Sequence, residues 1–331
     1  MLKFILVIFT SLSFADNWAV LVAGSKSFGN YRHQSDIFRA YHILNKNGFP
    51  ADQIITMAYD DIASDKLNPF PGKVFNEPKG PDVYIGSDRI DYKGNDVTAA
   101  NFYAILEGDS EAVAGKKVLN STKDDNVFIF IDDHGASGLF CFPVGPYAYS
   151  HDIRLHLGNM YTKGLYKNLL FYVEACESGS LFYNYPNNER LYALTASLPN
   201  EPSYAEFCDL QEYGYTCLSN QFAQSWMKQS DDGNLKKITV REQYEHVRKK
   251  VKGSHVQQYG DSGLHTMRLS EFQSFHKSIG EIPDEMFDIL HRLMDREQRR
   301  NSDVESGISV PQPDVHLMYM KQRSTNEEFE I

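Results

Sequence analysis

The stretch VFIFIDDHG, residues 127–135, decides which fold this chain is expected to adopt. Its first five residues are apolar, and a short run of β-branched and aromatic residues is typical of a strand buried on both faces. Two aspartates, a histidine and a glycine follow at once, so the chain turns polar where the strand ends. We therefore predict a buried strand over residues 127–131 that brings polar groups to one edge of a sheet.

Four more apolar runs have the same character, and they occupy residues 18–23, 54–57, 169–173 and 191–196. Helix-like stretches lie between them, including residues 36–47 and 99–106. Strands that alternate with helices indicate an α/β protein with a mostly parallel sheet. Loops that leave the carboxyl ends of such strands converge on one edge, where catalytic groups collect.

The 331 residues have near-average apolar and charged fractions and a formal net charge of -11, which predicts a folded protein with one large core. The negative charge repels phosphate backbones, so nucleic acid is not an expected partner. Residues 1–15 combine Lys3, an apolar run and the small residues Ser13 and Ala15, which predicts a secretory signal peptide. No later segment is apolar enough to cross a bilayer, so we expect no transmembrane anchor.

Four cysteines in a secreted protein predict at least one disulfide, although the count does not say which pair is bonded. Cys208 and Cys217 are close together in a loop-like stretch, which favours a local bridge between them. Cys141 lies in an apolar run, where a buried free thiol is expected. Cys176 is left to be explained by chemistry.

A cysteine acts as a nucleophile only as a thiolate, which an imidazolium or a helix N-terminus can stabilise. Cys176 closely follows one predicted strand and precedes residues suited to starting a helix, while His134 follows the preceding strand. Because parallel neighbours end at the same edge, we predict that the two side chains meet. The amides of Gly135 and Cys176 are candidates for an oxyanion hole, in which each donor contributes roughly 3 to 4 kcal/mol.

Three segments together resemble the signature blocks of the legumain (asparaginyl endopeptidase) family. They are NYRHQ at residues 30–34, DHGASG at 133–138 and EACESGS at 174–180, with further matches in VAGS at 22–25 and PKGPDVY at 78–84. The resemblance covers about residues 18–272. It implies a caspase-like fold and a cysteine endopeptidase that cleaves after asparagine, or after aspartate at lower pH, with peptide ligation as a second outcome.

The same resemblance implies a catalytic dyad of Cys176 and His134, with Asn30 orienting the histidine. For the pocket that holds the substrate asparagine, it implies the residues Arg32, His33, Glu174, Ser203 and Asn220. A carboxamide offers one acceptor and two donors, so its pocket needs a fixed donor fork opposite acceptors. Asn220 departs from the family, which has an aspartate at the position aligned on Trp226 and Met227, and the change removes a negative charge.

By resemblance the chain divides into a signal peptide (1–15), a caspase-like catalytic domain (16–272) and a tail (273–331) similar to the family's activation peptide. The helical prodomain of most relatives is missing after it, and Asn326 is the implied self-cleavage point. Expected partners are protein or peptide substrates and cystatin-type inhibitors, and the expected location is a lysosome-like or vacuolar compartment of the secretory pathway, or outside the cell. Asn120 begins a glycosylation sequon. No spacing of Cys and His indicates zinc, and no cofactor is expected.

Two other interpretations compete with this one. The catalytic subunit of the glycosylphosphatidylinositol transamidase shares the NYRH block, but it normally continues to a membrane span. A non-catalytic binding protein could keep the fold after losing activity, and the presence of Asn30, His134, Gly135 and Cys176 argues against that. A legumain-like enzyme is therefore the preferred prediction.

Overall fold

The computed structural model of the chain describes residues 16–274. The predicted signal peptide, residues 1–15, lies outside the described residues. So do residues 275–331, which hold all but the first two residues of the predicted tail and its implied cleavage point Asn326.

Eleven strands occur in the described part of the chain. They are β1 (Asn17–Ala23), β2 (Ile54–Met57), β3 (Asn126–Asp132), β4 (Gly135–Ala136), β5 (Leu139–Phe140), β6 (Ala148–Tyr149), β7 (Asn168–Glu174), β8 (Leu191–Thr195), β9 (Ala205–Glu206), β10 (Ser219–Asn220) and β11 (Gln257–Gly260). Six of them form the central sheet in the order β11-β8-β7-β3-β1-β2. Only β11 among these six runs antiparallel to its neighbour, so the sheet is mostly parallel.

Seven α-helices occur in residues 16–274. They are α1 (Tyr31–Lys46), α2 (Ala99–Glu107), α3 (Ser150–Lys163), α4 (Gly179–Phe182), α5 (Gln221–Asp232), α6 (Val240–Lys250) and α7 (Ser270–Gln273). They cover both faces of the sheet, which confirms the predicted α/β class with flanking helices. None of the described helices is long and apolar enough to span a membrane.

The hydrophobic core has two halves, one on each face of the sheet, because successive side chains of a strand point to opposite faces. One half joins alternate strand residues such as Phe130 to α1, α5 and α6, where Trp226 is fully buried. The other half joins residues such as Ile129 to α2 and α3. Each fully buried large apolar side chain stabilises the fold by about 1.5 to 3 kcal/mol, so these layers fix the sheet that carries the site.

The five predicted strands are all present, with ends that differ by one residue or less from the prediction. The predicted helix over residues 36–47 was wrong at its start, because α1 begins at Tyr31. Its first turn contains Arg32, His33 and Gln34, and these polar residues are largely buried there. Polar residues occupy buried positions in this first turn, so the apolar pattern that predicts a helix is missing there.

Three asparagines lie side by side at the amino end of the sheet, one at the start of each of β1, β3 and β7. Asn17 is in register with Asn126, and Asn126 with Asn168. Their side chains donate hydrogen bonds to the Ser274 carbonyl at 2.6 Å, to the Glu271 carbonyl at 3.0 Å and to the Asn126 side chain at 2.8 Å, respectively. This asparagine ladder ties the end of the described chain to the sheet, on the edge opposite the candidate site.

Candidate active site

The carboxyl ends of β3 and β7 bring the two predicted catalytic segments together. Asp132 is in register with Glu174, and the next amide, Asp133 N–H, donates to the Glu174 carbonyl at 3.1 Å. Two residues further on, a Cβ added to Gly135 would lie only 2.6 Å from the Cys176 carbonyl oxygen. Glycine is therefore required where the histidine segment passes the cysteine segment.

The imidazole of His134 is oriented by Asn30, the last residue before α1. The Asn30 side-chain amide donates to the Lys26 carbonyl at 3.0 Å, so its oxygen Oδ1 faces His134 Nε2 at 2.8 Å. This hydrogen-bond network assigns the proton of the neutral ring to Nε2 and leaves the lone pair on Nδ1. Partial burial lowers the pKa of His134, Arg32 lowers it further, and Asp133 opposes both. The ring is thus suited to accept a proton.

The thiol of Cys176 is half-buried, is not in a disulfide and lies at a sharp turn. Its Sγ accepts a hydrogen bond from the Ser203 amide at 3.4 Å, and the thiol can donate to the Ser203 carbonyl oxygen at 3.8 Å. The next residue, Glu177, has a positive φ of 52°. The helix expected after Cys176 is the single turn α4, which begins three residues later at Gly179.

The predicted pocket residues Arg32 and Asn220 are bonded to each other. Arg32 Nε donates to Asn220 Oδ1 at 3.0 Å, while Asn220 Nδ2 donates to Asp36 at 3.0 Å and to Asp132 at 3.1 Å. Asn220 is buried, and so are both aspartates. Its amide is therefore fixed, with its oxygen toward the arginine and its donors toward two acids. The two aspartates were missed at the sequence level, where an acid in a helix and an acid at a strand end look solvated.

Three buried carboxyl groups lie around this pocket and hold protons unusually well. Burial raises the pKa of Asp36 to about 6 and that of Glu174 to about 8, and it raises that of Asp132 well above the usual range. Arg32 acts in the opposite direction on Asp132 and Glu174. The pocket therefore gains negative charge as the pH rises from acid to neutral.

His33 is buried and packs against His134. Its ring meets the His134 ring edge-on with 4.9 Å between centroids, and its Nδ1 is 2.6 Å from Ser25 Oγ and 2.9 Å from Asp133 Oδ1. Burial holds the pKa of His33 well below its ordinary value, with smaller contributions from Arg32 and His134. Within the described residues, His33, Asp133 and His134 form a group that could hold a metal ion, with ligand atoms within 4.8 Å of one another. The hydrogen bond that His134 Nε2 donates to Asn30 Oδ1 already occupies one nitrogen of this ring.

The remaining predicted residues are placed as follows. The Ser203 hydroxyl lies beside Glu174 and lowers its pKa. Cys208 and Cys217 are joined by a disulfide that closes the loop between β9 and β10, the strand that ends at Asn220. Cys141 is a half-buried free thiol, and Asn120 is exposed.

An α/β sheet with a free cysteine and an oriented histidine at the ends of adjacent strands is consistent with a cysteine-type peptidase. The chain belongs to the Peptidase C13 family, whose profile matches residues 17–275. The protein is accordingly a cysteine-type endopeptidase, a hydrolase that acts on protein or peptide substrates.

Relatives with curated names agree with this assignment. The chain is 42% identical over 313 residues to legumain of Rattus norvegicus, which covers 89% of this chain and 70% of that protein. It is 45% identical over 317 residues to legumain of Bos taurus, with 94% and 68% covered. It is 42% identical over 282 residues to the vacuolar-processing enzyme beta-isozyme of Arabidopsis thaliana, with 80% and 58% covered. The transamidase and the non-catalytic protein are not favoured by these relatives.

Among solved structures, caspase-1 from Spodoptera frugiperda superposes with a TM-score of 0.46 at 9% identity, covering 74% of this chain and 86% of that chain. The two structures are therefore only weakly similar.

Proposed function

We propose that the protein hydrolyses peptide bonds after asparagine, with Cys176 as the nucleophile and His134 as the acid and base. The observation that carries this proposal is the contact between the two strand ends, where Gly135 passes the Cys176 carbonyl and Asn30 fixes the adjacent imidazole. The family resemblance supports the choice of asparagine as the residue before the scissile bond.

In the proposed reaction, His134 Nδ1 takes the proton of the Cys176 thiol, and the thiolate attacks the carbonyl carbon of the substrate. The amides of Gly135 and Cys176 stabilise the negative oxygen that forms. The imidazolium then returns its proton to the leaving amine, which departs and leaves a thioester on Cys176. Water, activated by His134, hydrolyses the thioester and frees the thiol. An incoming amine in place of water would give peptide ligation.

The pocket proposed for the substrate carboxamide uses Arg32 as the donor fork. Its Nε is bonded to Asn220, which leaves the terminal nitrogens for the substrate oxygen. Glu174 and the Ser203 hydroxyl supply acceptors for the substrate amide hydrogens. His33 acts through His134, against which its ring packs.

Aspartate is accepted in this pocket at lower pH. A protonated aspartate side chain keeps a donor for the acceptors of this pocket, as the asparagine amide does, whereas an ionised carboxylate offers acceptors only. Because burial raises the pKa of Glu174 to about 8, that residue is protonated in acid, and the substrate aspartate decides the pH at which cleavage begins.

The remaining expectations belong to the same proposal. Residues 273–331 act as an activation peptide that is cleaved after Asn326, the exposed Asn120 is glycosylated, and cystatin-type inhibitors bind the open site. The working compartment is lysosome-like or vacuolar, or the enzyme is secreted. The vacuolar-processing name of one relative supports a vacuolar compartment.

A cleavage profile on a peptide library tests the proposal. Cleavage should concentrate after asparagine at mildly acidic pH and gain aspartate sites as the pH falls further. The matched Cys176→Ala protein should cut none of these peptides. A profile without preference for asparagine would contradict the assigned pocket, and cleavage by the Cys176→Ala protein would contradict the nucleophile.

A further inference from the structure

The segment between β8 and β9 touches the nucleophile on two sides. The Ser203 amide donates to Cys176 Sγ at 3.4 Å, and two residues earlier the Glu201 carbonyl accepts the Glu177 amide at 2.8 Å. Glu177 has a positive φ, a conformation that non-glycine residues keep only where their surroundings enforce it. The position of residues 201–203 therefore helps to set the turn that presents the thiol.

The carboxylate of Glu201 anchors this segment to the loop before β11. Its Oε1 accepts the amides of Leu198 at 2.8 Å and His255 at 2.7 Å, and its Oε2 lies 2.9 Å from His255 Nδ1. The same loop is tied down by Ser254, whose hydroxyl donates to the Ala196 carbonyl at 2.6 Å. One side chain thus takes three hydrogen bonds, from its own segment and from the neighbouring loop.

We infer that Glu201 is a positioning residue for Cys176, which holds the Ser203 amide against the thiol through its contacts with Leu198 and His255. The inference deepens the proposed function and rests on Cys176 as the nucleophile. Glu201 does not touch the substrate in this scheme. It fixes the segment in which the amide and the carbonyl of Ser203 both contact the sulfur.

The charges around Glu201 are few. Burial favours the protonated acid, but the amides of Leu198 and His255 and the His255 ring outweigh it and lower the pKa of Glu201. Lys252, in the same loop as His255, directs its amine to the Lys249 carbonyl at 2.8 Å. Glu177 contributes its backbone amide. The His255 ring is therefore the side-chain partner of this carboxylate.

A Glu201→Gln substitution tests positioning by conservative replacement, because an amide keeps the acceptor that the two backbone amides use. The glutamine oxygen can replace Oε1 and accept the amides of Leu198 and His255. A Glu201→Ala substitution removes that acceptor altogether. The glutamine variant should therefore keep residues 201–203 in place, and the alanine variant should release them.

The test measures two rates for each protein, kcat/KM for an asparagine peptide and the iodoacetamide alkylation rate of Cys176, followed by mass spectrometry of its peptide. For Glu201→Gln, both should stay within about twofold of the wild-type values. Glu201→Ala should lose about tenfold in both rates, the effect of one lost hydrogen bond. Cys141, whose pKa burial raises to about 11, serves as an internal reference thiol.

Glu107→Gln is the matched control. Glu107 also bonds a histidine, His156 Nδ1 at 2.5 Å, but this pair lies between α2 and α3, away from the cysteine segment. Its two rates should match those of the wild-type protein. A loss in Glu201→Gln as large as that in Glu201→Ala, or normal alkylation in Glu201→Ala, would overturn the inference. Turnover by Cys176→Ala would instead overturn the proposed function.

Discussion

At the residue scale, the hydrogen bond between Asn30 and His134 orients the imidazole without taking part in proton transfer. Asn30 holds one ring nitrogen at 2.8 Å and leaves the other free to move the proton. We expect Asn30→Ala to lower kcat about tenfold, the effect of one lost hydrogen bond, and to leave KM within about twofold. Steady-state kinetics on an asparagine peptide measure both constants. An equal change in KM would place Asn30 in substrate binding instead.

The dyad itself should show a larger effect. Cys176→Ala and His134→Ala should each reduce turnover by at least about a hundredfold, since acid and base catalysis alone contributes 10² to 10⁴. Both side chains are at strand ends and not in the core, so the circular dichroism spectra should match that of the wild-type protein. Loss of folding in either variant would indicate a structural role.

The neutral amide of Asn220 bonds Arg32, Asp36 and Asp132. The residue at this position therefore decides how much negative charge the pocket contains. Asn220→Asp would replace two donated hydrogen bonds with a further carboxylate beside two acids. We expect the ratio of cleavage after aspartate to cleavage after asparagine to fall more steeply with rising pH in that variant. The ratio of kcat/KM for matched peptides between about pH 4 and 6.5 measures this. Identical profiles would place Asn220 outside the pocket's influence.

At the scale of elements, the disulfide between Cys208 and Cys217 keeps β9 and β10 together and thereby holds Asn220 against Arg32. A double Cys208→Ser and Cys217→Ser variant should raise KM several-fold. The alkylation rate of Cys176 should stay unchanged, because the thiol is held by other contacts. Peptide mapping without reductant provides the control that the bridge exists in the wild-type protein. A fall in kcat with unchanged KM would contradict the assignment of the disulfide to substrate binding.

Elements with a strong local pattern were predictable from sequence. The apolar runs of β3 and β7 gave strand positions, and parallel pairing alone placed His134 near Cys176. The start of α1 was missed because its first turn carries polar residues that tertiary contacts bury. Glu201 and His255 are 54 residues apart, and no local pattern connects them. A local pattern of apolar residues predicts helices and strands. It does not predict polar contacts between distant parts of the sequence, which form only when those elements pack together.

For the whole molecule, several buried acids make stability depend on pH. The pKa values of Glu174, Asp133, Asp36 and Asp132 are all raised by burial, to about 8, 7 and 6 for the first three. A raised folded-state pKa means that the folded protein binds these protons more tightly than the unfolded chain. Their stabilisation is complete below the unfolded values near 4 and is lost as the pH rises through about 6 to 8.

The lowered pKa values of His33 and His134 act in the opposite direction, because their stabilisation grows as the pH rises past the unfolded histidine value. Since four acids oppose these two rings, we expect the Cys176→Ala protein, which cannot digest itself, to melt about 5 °C higher at pH 5 than at pH 8. Differential scanning calorimetry measures the difference. Glu174→Gln should reduce it, since an amide has no proton to lose. A melting temperature that rises toward pH 8 would show that these acids do not control stability.

The asparagine ladder of Asn17, Asn126 and Asn168 has a consequence for self-preservation. An enzyme that cuts after asparagine is surrounded by copies of itself, and these three sites are hidden within hydrogen-bonded strand starts that cannot enter a cleft. Exposed loop positions such as Asn187 are where mutual nicking of intact molecules would begin. Once the sheet opens, all three asparagines become accessible for cleavage, and two of them, Asn126 and Asn168, lie in the interior of the chain. The lifetime of an enzyme pool is then governed by how often its members unfold.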